Sequence, residues 1–587
     1  MRPTKGFQMA APLTLLLVLF GCSDSPDTPE SPVPETIDQL PVLTVSSPER
    51  GAFYGTEELR IQGTALAGAS DLSSLVSNGI EINLDAGGGF SQILPTEIGL
   101  NLVGTRLEDF AGKRAVDGRA FYWGEAYFPG DFVQEGLRMR LGPELLDDDD
   151  PDLDDAASLI ELAAADPAIA DLVVGTEIED DNFDFILTGL SLDSASVDIT
   201  PNNGFLTIEA ELRDFWLGFD IENILGQSYL TTIGEAEADT VSLQMDVSLS
   251  MTNGSLESSA TQATTSLSGF AITVDYFPDF LEGYLADWTQ DYIQDVASET
   301  IQEVVGDLLK DFIEGLTADT SVSGVDLFTT LDTVEIAETG IRLTADVSAI
   351  GADLSSLPPN ASSPKTPSTV PSWEDLPEAP VALAVDDDMI NQVLFSLWST
   401  GSLSGIEFSG TELALLAGAP IEAPLGPVTS ASLNAELPPM MRTSASPEMT
   451  ADMGIGELRL QVAREDGILH DFSISAWLGI QAALTESKTV AVELDNRPRY
   501  IPMEIGVLEW DPELDPGDLA ALIRLMMPPL FGRAGSLAPS LEVPTVPLGD
   551  ALGLEALDDI IIGLREAQFA FNEDNWLVLG GSLEASQ

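Results

Sequence analysis

The sequence predicts an α+β chain: two tandem tubular barrels of curved antiparallel sheet wrapped on long helices, preceded by an all-β sandwich. Three observations predict it. Short alternating runs punctuated by Gly, Ser and Asn fill residues 41–130, longer period-two strands begin near Val197, and the period turns helical between Pro278 and Leu316. A helix of that length, roughly 58 Å at 1.5 Å per residue, must bury its apolar stripe. No second long helix is available nearby, so the sheet has to wrap along it.

At the N-terminus, Arg2 and Lys5 form a basic region, Met9 to Phe20 an apolar stretch too short to span a bilayer, and Leu19-Phe20-Gly21-Cys22 a cleavage site. Residues 1–21 read as a bacterial lipoprotein signal peptide. Cys22, the only cysteine, is then the lipidated first mature residue, because its thiol carries the diacylglycerol. An ordinary secretory signal with an incidental cysteine is the competing reading. A single cysteine also means that no disulfide forms within the chain. The expected location is the cell envelope, held by the lipid; Ser23 favours the outer membrane, and Asp24 leaves the sorting open. Residues 22–40, rich in Pro, Ser, Asp and Glu, cannot bury a core and form a flexible tether.

The 587 residues carry 98 Asp plus Glu against 23 Lys plus Arg. That excess excludes nucleic acid as a partner, since phosphate binding needs dense Lys and Arg, and it repels anionic headgroups unless divalent cations mediate. His470 is the sole histidine, which excludes His-rich metal sites; beside Asp471 at a turn, it is expected to be exposed. No G-x-S-x-G elbow and no Gly-rich phosphate loop before a helix occurs. The chain therefore reads as no enzyme, although two-carboxylate chemistry stays open where acids are so numerous.

In chain order, strands at Leu43/Val45, Leu59/Ile61, Ile80 to Leu84, Leu100/Leu102 and Ala120 to Trp123 make a sandwich of about seven strands over 41–130. Its Ser47-Pro48-Glu49-Arg50-Gly51, Ile61-Gln62-Gly63-Thr64 and Leu107 to Lys113 segments resemble bacterial Ig-like modules, which implies a spacer or adhesion element. Residues 131–178 read as an acidic linker and helix. Within them Asp150, Asp152, Asp154, Ser158 and Glu161 fall at positions 1, 3, 5, 9 and 12 of an EF-hand-like calcium loop. Asp155 stands where that loop wants Gly, so a solvated linker with acids at a helix start is the alternative.

The first barrel covers 179–352. Val197/Ile199, a turn at Pro201-Asn202-Asn203-Gly204 and Leu206 to Leu212 form a hairpin, and Val241, Leu243, Met245, Val247 and Leu249 one face of a strand. The helix that follows carries Leu281, Leu285, Trp288, Tyr292, Val296, Val304, Leu308 and Phe312 on one stripe. Two more strands turn at Thr339-Gly340. Residues 353–380, rich in Pro, Ser and Thr, read as a linker. The second barrel, 381–587, opens with a strand at Val381 to Val385 and a helix carrying Val393 and Leu397 to a stop at Gly401. Strands follow at Ile455 to Val462 and Phe472 to Ile480. A helix near Pro516 carries Leu519, Ile523 and Met526 and ends against Pro528-Pro529, and a hairpin at Asn572 to Asn575 closes the chain.

From about residue 185 onward these segments, in this order, resemble the bactericidal/permeability-increasing protein family of tubular lipid-binding proteins. The carrying residues are Ile199 to Leu206, the long helix after Val274-Asp275-Tyr276, Val381 to Gly401, and Pro544 to Leu548 with Asn575 to Gly580. The resemblance implies two barrels joined through a central sheet, each with an apolar pocket for acyl chains. The disulfide and the cationic tip of the family's animal members are missing here. For single stripe residues plain core packing is the simpler account; the stripe argues for a cavity only as a set. Binding or transfer of lipid acyl chains is thus expected; a structural or adhesion lipoprotein with solid barrels, its Ig-like module engaging an unidentified protein, is the alternative. No cofactor is expected beyond calcium at the acidic loop.

Overall fold

The strand Val133–Leu141 sets the architecture. The computed structural model describes residues 40–587 except 151–152, 165–173, 176, 180–183, 223–230, 253, 276–284, 287–288, 291–305, 307–308, 311, 316, 318, 323, 352–353, 356, 418–424, 445, 447–448, 485–488, 495–502, 538–540, 543–545, 548–560, 573 and 587. In it Val133–Leu141 is the fourth strand of an eight-stranded antiparallel sheet, with Arg138 opposite Thr344 of Gly340–Gly351 on one side and Ala384 of Val381–Asp386 on the other. The sheet runs outward through Val325–Ala337 to Thr320–Val322, and in the other direction through Trp576–Ser586 and Ile561–Phe571 to Val546–Pro547. The two halves of the chain therefore share one sheet, and a strand stands where the sequence reads only linker and helix. Its period is hard to see because Glu135 (φ +49°) and Gly136 open a bulge between Val133 and Leu137.

Ahead of that strand, Val42–Ser47, Arg60–Leu66 and Gly89–Ile93 form one sheet and Phe53–Tyr54, Arg114–Trp123, Gly99–Asp109, Leu72–Ser77 and Ile80–Glu81 another. Ile61, Leu75, Phe90, Leu107 and Phe121 are buried in the core they share. The sandwich is no free spacer. Leu100, Ala120 and Tyr122 on its outer side join Leu437, Met440, Trp477, Phe395 and Trp398 in a second core, and the Tyr122 hydroxyl donates to the Pro438 carbonyl at 2.9 Å. A β-carbon on Gly118 would collide with the Ile505 backbone, so the two layers touch main chain to main chain.

The first-half sheet runs Glu177–Glu179, Asp184–Ser191, Leu206–Glu222, Thr232–Thr252, Ser255–Ser268, with Ser194–Pro201 and Ala271–Val274 joined to its long strands. The expected hairpin is present: Pro201 pairs with Leu206 around Gly204 at φ +93°. The second-half sheet runs Ile406–Ser409, Val428–Ala435, Ala451–Arg464, Leu469–Leu484, Thr489–Leu494, Leu541–Glu542, with Met440–Thr443 and Met503–Glu509 alongside. Strand makes up 56% of the structure and helix 14%, so curled sheets, one of them a half-barrel, supply most of the walls.

Two further expectations change. The helix Pro516–Leu537 continues through Pro528 and Pro529 instead of stopping there. Two interior prolines oppose the helix by about 6 kcal/mol together, and the burial of Met526, Met527 and Phe531 around them, roughly 1.5–3 kcal/mol each, is of the same size and offsets it. The 353–380 stretch is no loose linker either. Ser363–Pro364 pairs with Ala126–Tyr127, the Arg138 guanidinium donates to the Pro371 carbonyl and stacks 4.2 Å from the Trp373 ring, and Arg140 donates to the Pro377 carbonyl. It is a strap fastened across the shared sheet.

Candidate functional site

The first-half interior is built by two long strands. Leu206–Glu222 and Thr232–Thr252 pair from Leu206–Val247 to Ile221–Thr232, and 21 residues at about 3.4 Å each give a wall of roughly 70 Å. Leu206, Ile208 and Ala210 are buried on one strand and Val241, Leu243, Met245 and Val247 on the other. Beyond them the phase changes: Phe215, Leu217, Phe219 and Ile221 are buried, opposite Ala236 and Ala238. Both strands shift at one level, Asp214 (φ +49°) on one and Asp239 on the other, so the inner face stays apolar along the whole wall.

Helical residues meet this wall at both ends. Leu285 is buried with Phe185, Phe219 and Ala236, and Phe312 with Leu309, Ile313 and the strand residues Leu243 to Leu249. Leu281, Trp288, Tyr292, Val296, Val304 and Leu308 lie outside the described residues. Cover is thinner along the sheet's edge: Ala260, Ala263, Leu267, Ile272 and Val274 pack against these cores yet stay half-buried.

In the second half Leu519, Ile523 and Met526 sit as expected on the buried face of their helix, against Leu460, Val462, Phe472, Ile474 and Ile505. The other helix, Asp387–Ser399, buries Phe395 and Trp398 but only part of its apolar pattern. Its buried face also carries polar side chains: Asn391 and Met441 exchange two backbone-to-amide hydrogen bonds at 2.7 and 3.1 Å. Gln392 accepts from Ala349 N–H at 3.1 Å and donates to the Asp131 carbonyl, and Ser396 donates to the Ala349 carbonyl. Val393 and Leu397 are left half-buried. Hydropathy alone ranks an amide below a leucine for burial, so only a partner outside the helix could have revealed this orientation.

The acidic loop is arranged differently from the expected calcium loop. Asp152 and Cys22 lie outside the described residues. Asp155 caps the helix Ala156–Ala164 by accepting Ser158 N–H at 2.6 Å, and burial pushes its carboxyl up to about 6. Ser158 donates to the Asp150 carbonyl, and Glu161 accepts the Val197 N–H at 2.8 Å. Asp150, Asp154 and Glu161 do not gather within ligating distance; Asp147, Asp149 and Asp198 do, at a partly exposed place where Asp147 accepts the Ile199 N–H. A more enclosed set, Asp386, Asp387 and Asp388, gathers at the start of the helix Asp387–Ser399, where acids are commonplace and carry no site signal of their own.

His470 is buried on Leu469–Leu484 opposite Val462, with its ring stacked on Phe472, in place of the exposed turn expected for it. Burial holds its imidazole below the ordinary value, as a neutral core residue. No described helix is long and apolar enough to cross a membrane.

No protein-family model matches the chain, and no curated protein matches it. Among solved structures, the crystal structure of lipopolysaccharide binding protein is similar at 12% identity and a TM-score of 0.40, covering 78% of this chain and 100% of that one. The crystal structure of P47 of Clostridium botulinum E1 is similar at 11% identity and a TM-score of 0.23, over 77% of this chain and 100% of that one.

Proposed function

We propose that this chain is an exported lipoprotein, anchored through Cys22 to the cell envelope, that binds lipid acyl chains in two tandem tubes and catalyses no reaction. The Ig-like sandwich serves as a fixed buttress of the second tube. The observation that carries the reading is apolar surface left half-covered: Ala260, Ala263, Leu267, Ile272 and Val274 along the inner edge of the first-half sheet, and Val393 with Leu397 on the second-half helix. A solid core covers such residues with its own side chains; a sleeve leaves them for a guest. At about 0.8 kcal/mol per methylene, a chain of sixteen carbons gains on the order of 12 kcal/mol by entering, before ordering costs.

The test is organic extraction of purified signal-less protein followed by mass spectrometry. Lipid in stoichiometric amount is expected, and it should fall away in a Val393→Asp, Leu397→Asp variant, whose half-exposed positions tolerate charge without unfolding. Folded wild-type protein that releases no lipid would leave the alternative, a structural or adhesion lipoprotein with solid tubes. The docking of the sandwich against the second half is the observation that favours that second reading.

A further inference from the structure

Three consecutive carboxylates are buried where the sandwich, the strap, the shared sheet and the helix Asp387–Ser399 meet. Asp386, Asp387 and Asp388 are 5%, 0% and 2% exposed, and one carboxylate oxygen from each lies within 4.8 Å of the others. Two oxygens on opposite sides of a calcium ion, at about 2.4 Å each, stand at about that separation.

The donors around them do not balance the charge. Asp386 accepts the Asp388 N–H at 2.9 Å as the helix cap, and the Ser368 hydroxyl at 2.7 Å. Thr366 gives its N–H to Asp388 at 2.8 Å, and its single hydroxyl proton faces both Asp387 at 2.6 Å and Asp388 at 2.8 Å. The Tyr127 hydroxyl also bonds Asp388. Asp387 Oδ2 has no partner although the residue is fully buried. Among the described residues no Lys or Arg pairs with any of the three; Lys365 is turned over the Tyr127 ring at 5.4 Å. A helix N-terminus supplies about half a positive charge against three negative ones. Something positive is needed, and it is either protons or a metal ion.

We propose that Asp386, Asp387 and Asp388 bind one divalent cation of the calcium class, with the orphaned Asp387 oxygen as a ligand and Thr366, Ser368 and Tyr127 holding the other oxygens in place. The ligands are hard oxygens, the chemistry that calcium selects over softer metals. The ion would fasten together the strap through Thr366 and Ser368, the sandwich's exit through Tyr127, and the start of the second half. This site is independent of whether the tubes carry lipid.

The experiment is isothermal titration of the full mature chain with calcium chloride in 0.5 M KCl, which suppresses loose binding to the acidic surface. It is paired with thermal unfolding in calcium and in EDTA. One tight site is expected, with a melting temperature several degrees higher in calcium than in EDTA. In Asp387→Asn the tight site should be lost. In a variant with Asp147, Asp149 and Asp198 all changed to Asn it should remain. Tight binding that survives Asp387→Asn, or that vanishes in the triple variant, overturns the assignment. Should Asp387→Asn not fold, the wild-type alone decides: equal melting temperatures in calcium and EDTA mean that protons, not a metal, occupy the cluster.

Discussion

Glu457 is the residue on which docking of the sandwich should turn. It is 1% exposed, at φ +48°, and belongs to the second-half strand Ala451–Arg464. Its carboxylate accepts the Ala120 N–H of the sandwich at 2.6 Å and the Ser473 hydroxyl at 2.5 Å, and the Arg50 guanidinium approaches both oxygens at 3.4 Å. Arg50 also pairs with Asp117 at 2.9 Å and donates to the Gly118 carbonyl. Burial pushes the Glu457 carboxyl above its ordinary range, against the opposing pull of Arg50. Truncation by Glu457→Ala strands the buried Ala120 N–H and removes one of two counter-charges from Arg50. Breaking a buried pair in this way costs about 3–5 kcal/mol. Glu457→Gln keeps an acceptor for Ala120 and, since burial already disfavours the charge, should cost only about 1–2 kcal/mol. Differential scanning calorimetry reads the difference. Wild-type sandwich and second half should melt in one transition; Glu457→Ala should lower it by on the order of 5–10 °C or split off an early sandwich transition, with Gln between. A Glu457→Ala protein melting within about a degree of wild type would refute the reasoning and leave docking to the apolar contacts alone.

Gly118→Ala should undock the same seam from the other side, because the new methyl meets the Ile505 backbone and no flexible side chain can yield; faster proteolytic release of the sandwich is the readout, and unchanged resistance would contradict it. Without metal, the buried aspartates should make stability fall as pH rises. Asp387, at about 9 folded against 3.8, and Asp388, at about 7, bind more protons in the native state across those windows, so the unfolding free energy declines from about pH 4 up to pH 9. Urea titrations in EDTA at pH 5 and pH 8 should show this decline, and Asp387→Asn should flatten it; a wild-type slope of the opposite sign would rule it out.

What could be read in the sequence was whatever periodicity and turn chemistry dictate locally. The hairpin at Asn202-Asn203-Gly204 and the alternation from Val241 to Leu249 were legible because a buried face and a solvated face differ at every second residue. So was the start of Asp387–Ser399, whose cap is Asp386. Positions decided by a partner far along the chain were not legible. Val133–Leu141 hides its period behind a bulge and acquires meaning only between strands more than 200 residues away. Asn391 and Gln392 are buried because carbonyls of other elements await them, and His470 because the opposing strand covers it. Of the candidate interior, the positions in long amphipathic runs, Leu285, Phe312, Ile523 and Met526, are buried; Val393 and Leu397 are only half-buried, because Phe395 and Trp398 together with Asn391, Gln392 and Ser396 take the buried side of their helix.

Some of the chain's few cations sit where parts of the structure meet or close the sheets. Arg50 joins sandwich to second half, Arg138 and Arg140 hold the strap, Arg459 pairs with Asp471 at 2.7 Å, and Arg464 with Asp511 at 2.9 Å. These contacts are partly buried and close, so salt screens them little. Acids far outnumber cations over the whole chain, 98 Asp plus Glu against 23 Lys plus Arg, and the exposed ones among them repel one another over distances that salt does screen. The screening length falls from about 30 Å at 0.01 M to about 3 Å at 1 M. Salt should therefore remove the repulsion and spare the staples, and the melting temperature should climb steadily from 10 mM to 1 M KCl. The rise should persist in Asp387→Asn, since it belongs to the surface and not to the buried cluster. A melting temperature that falls over this range would mean that exposed ion pairs, not the buried seams, hold the molecule together.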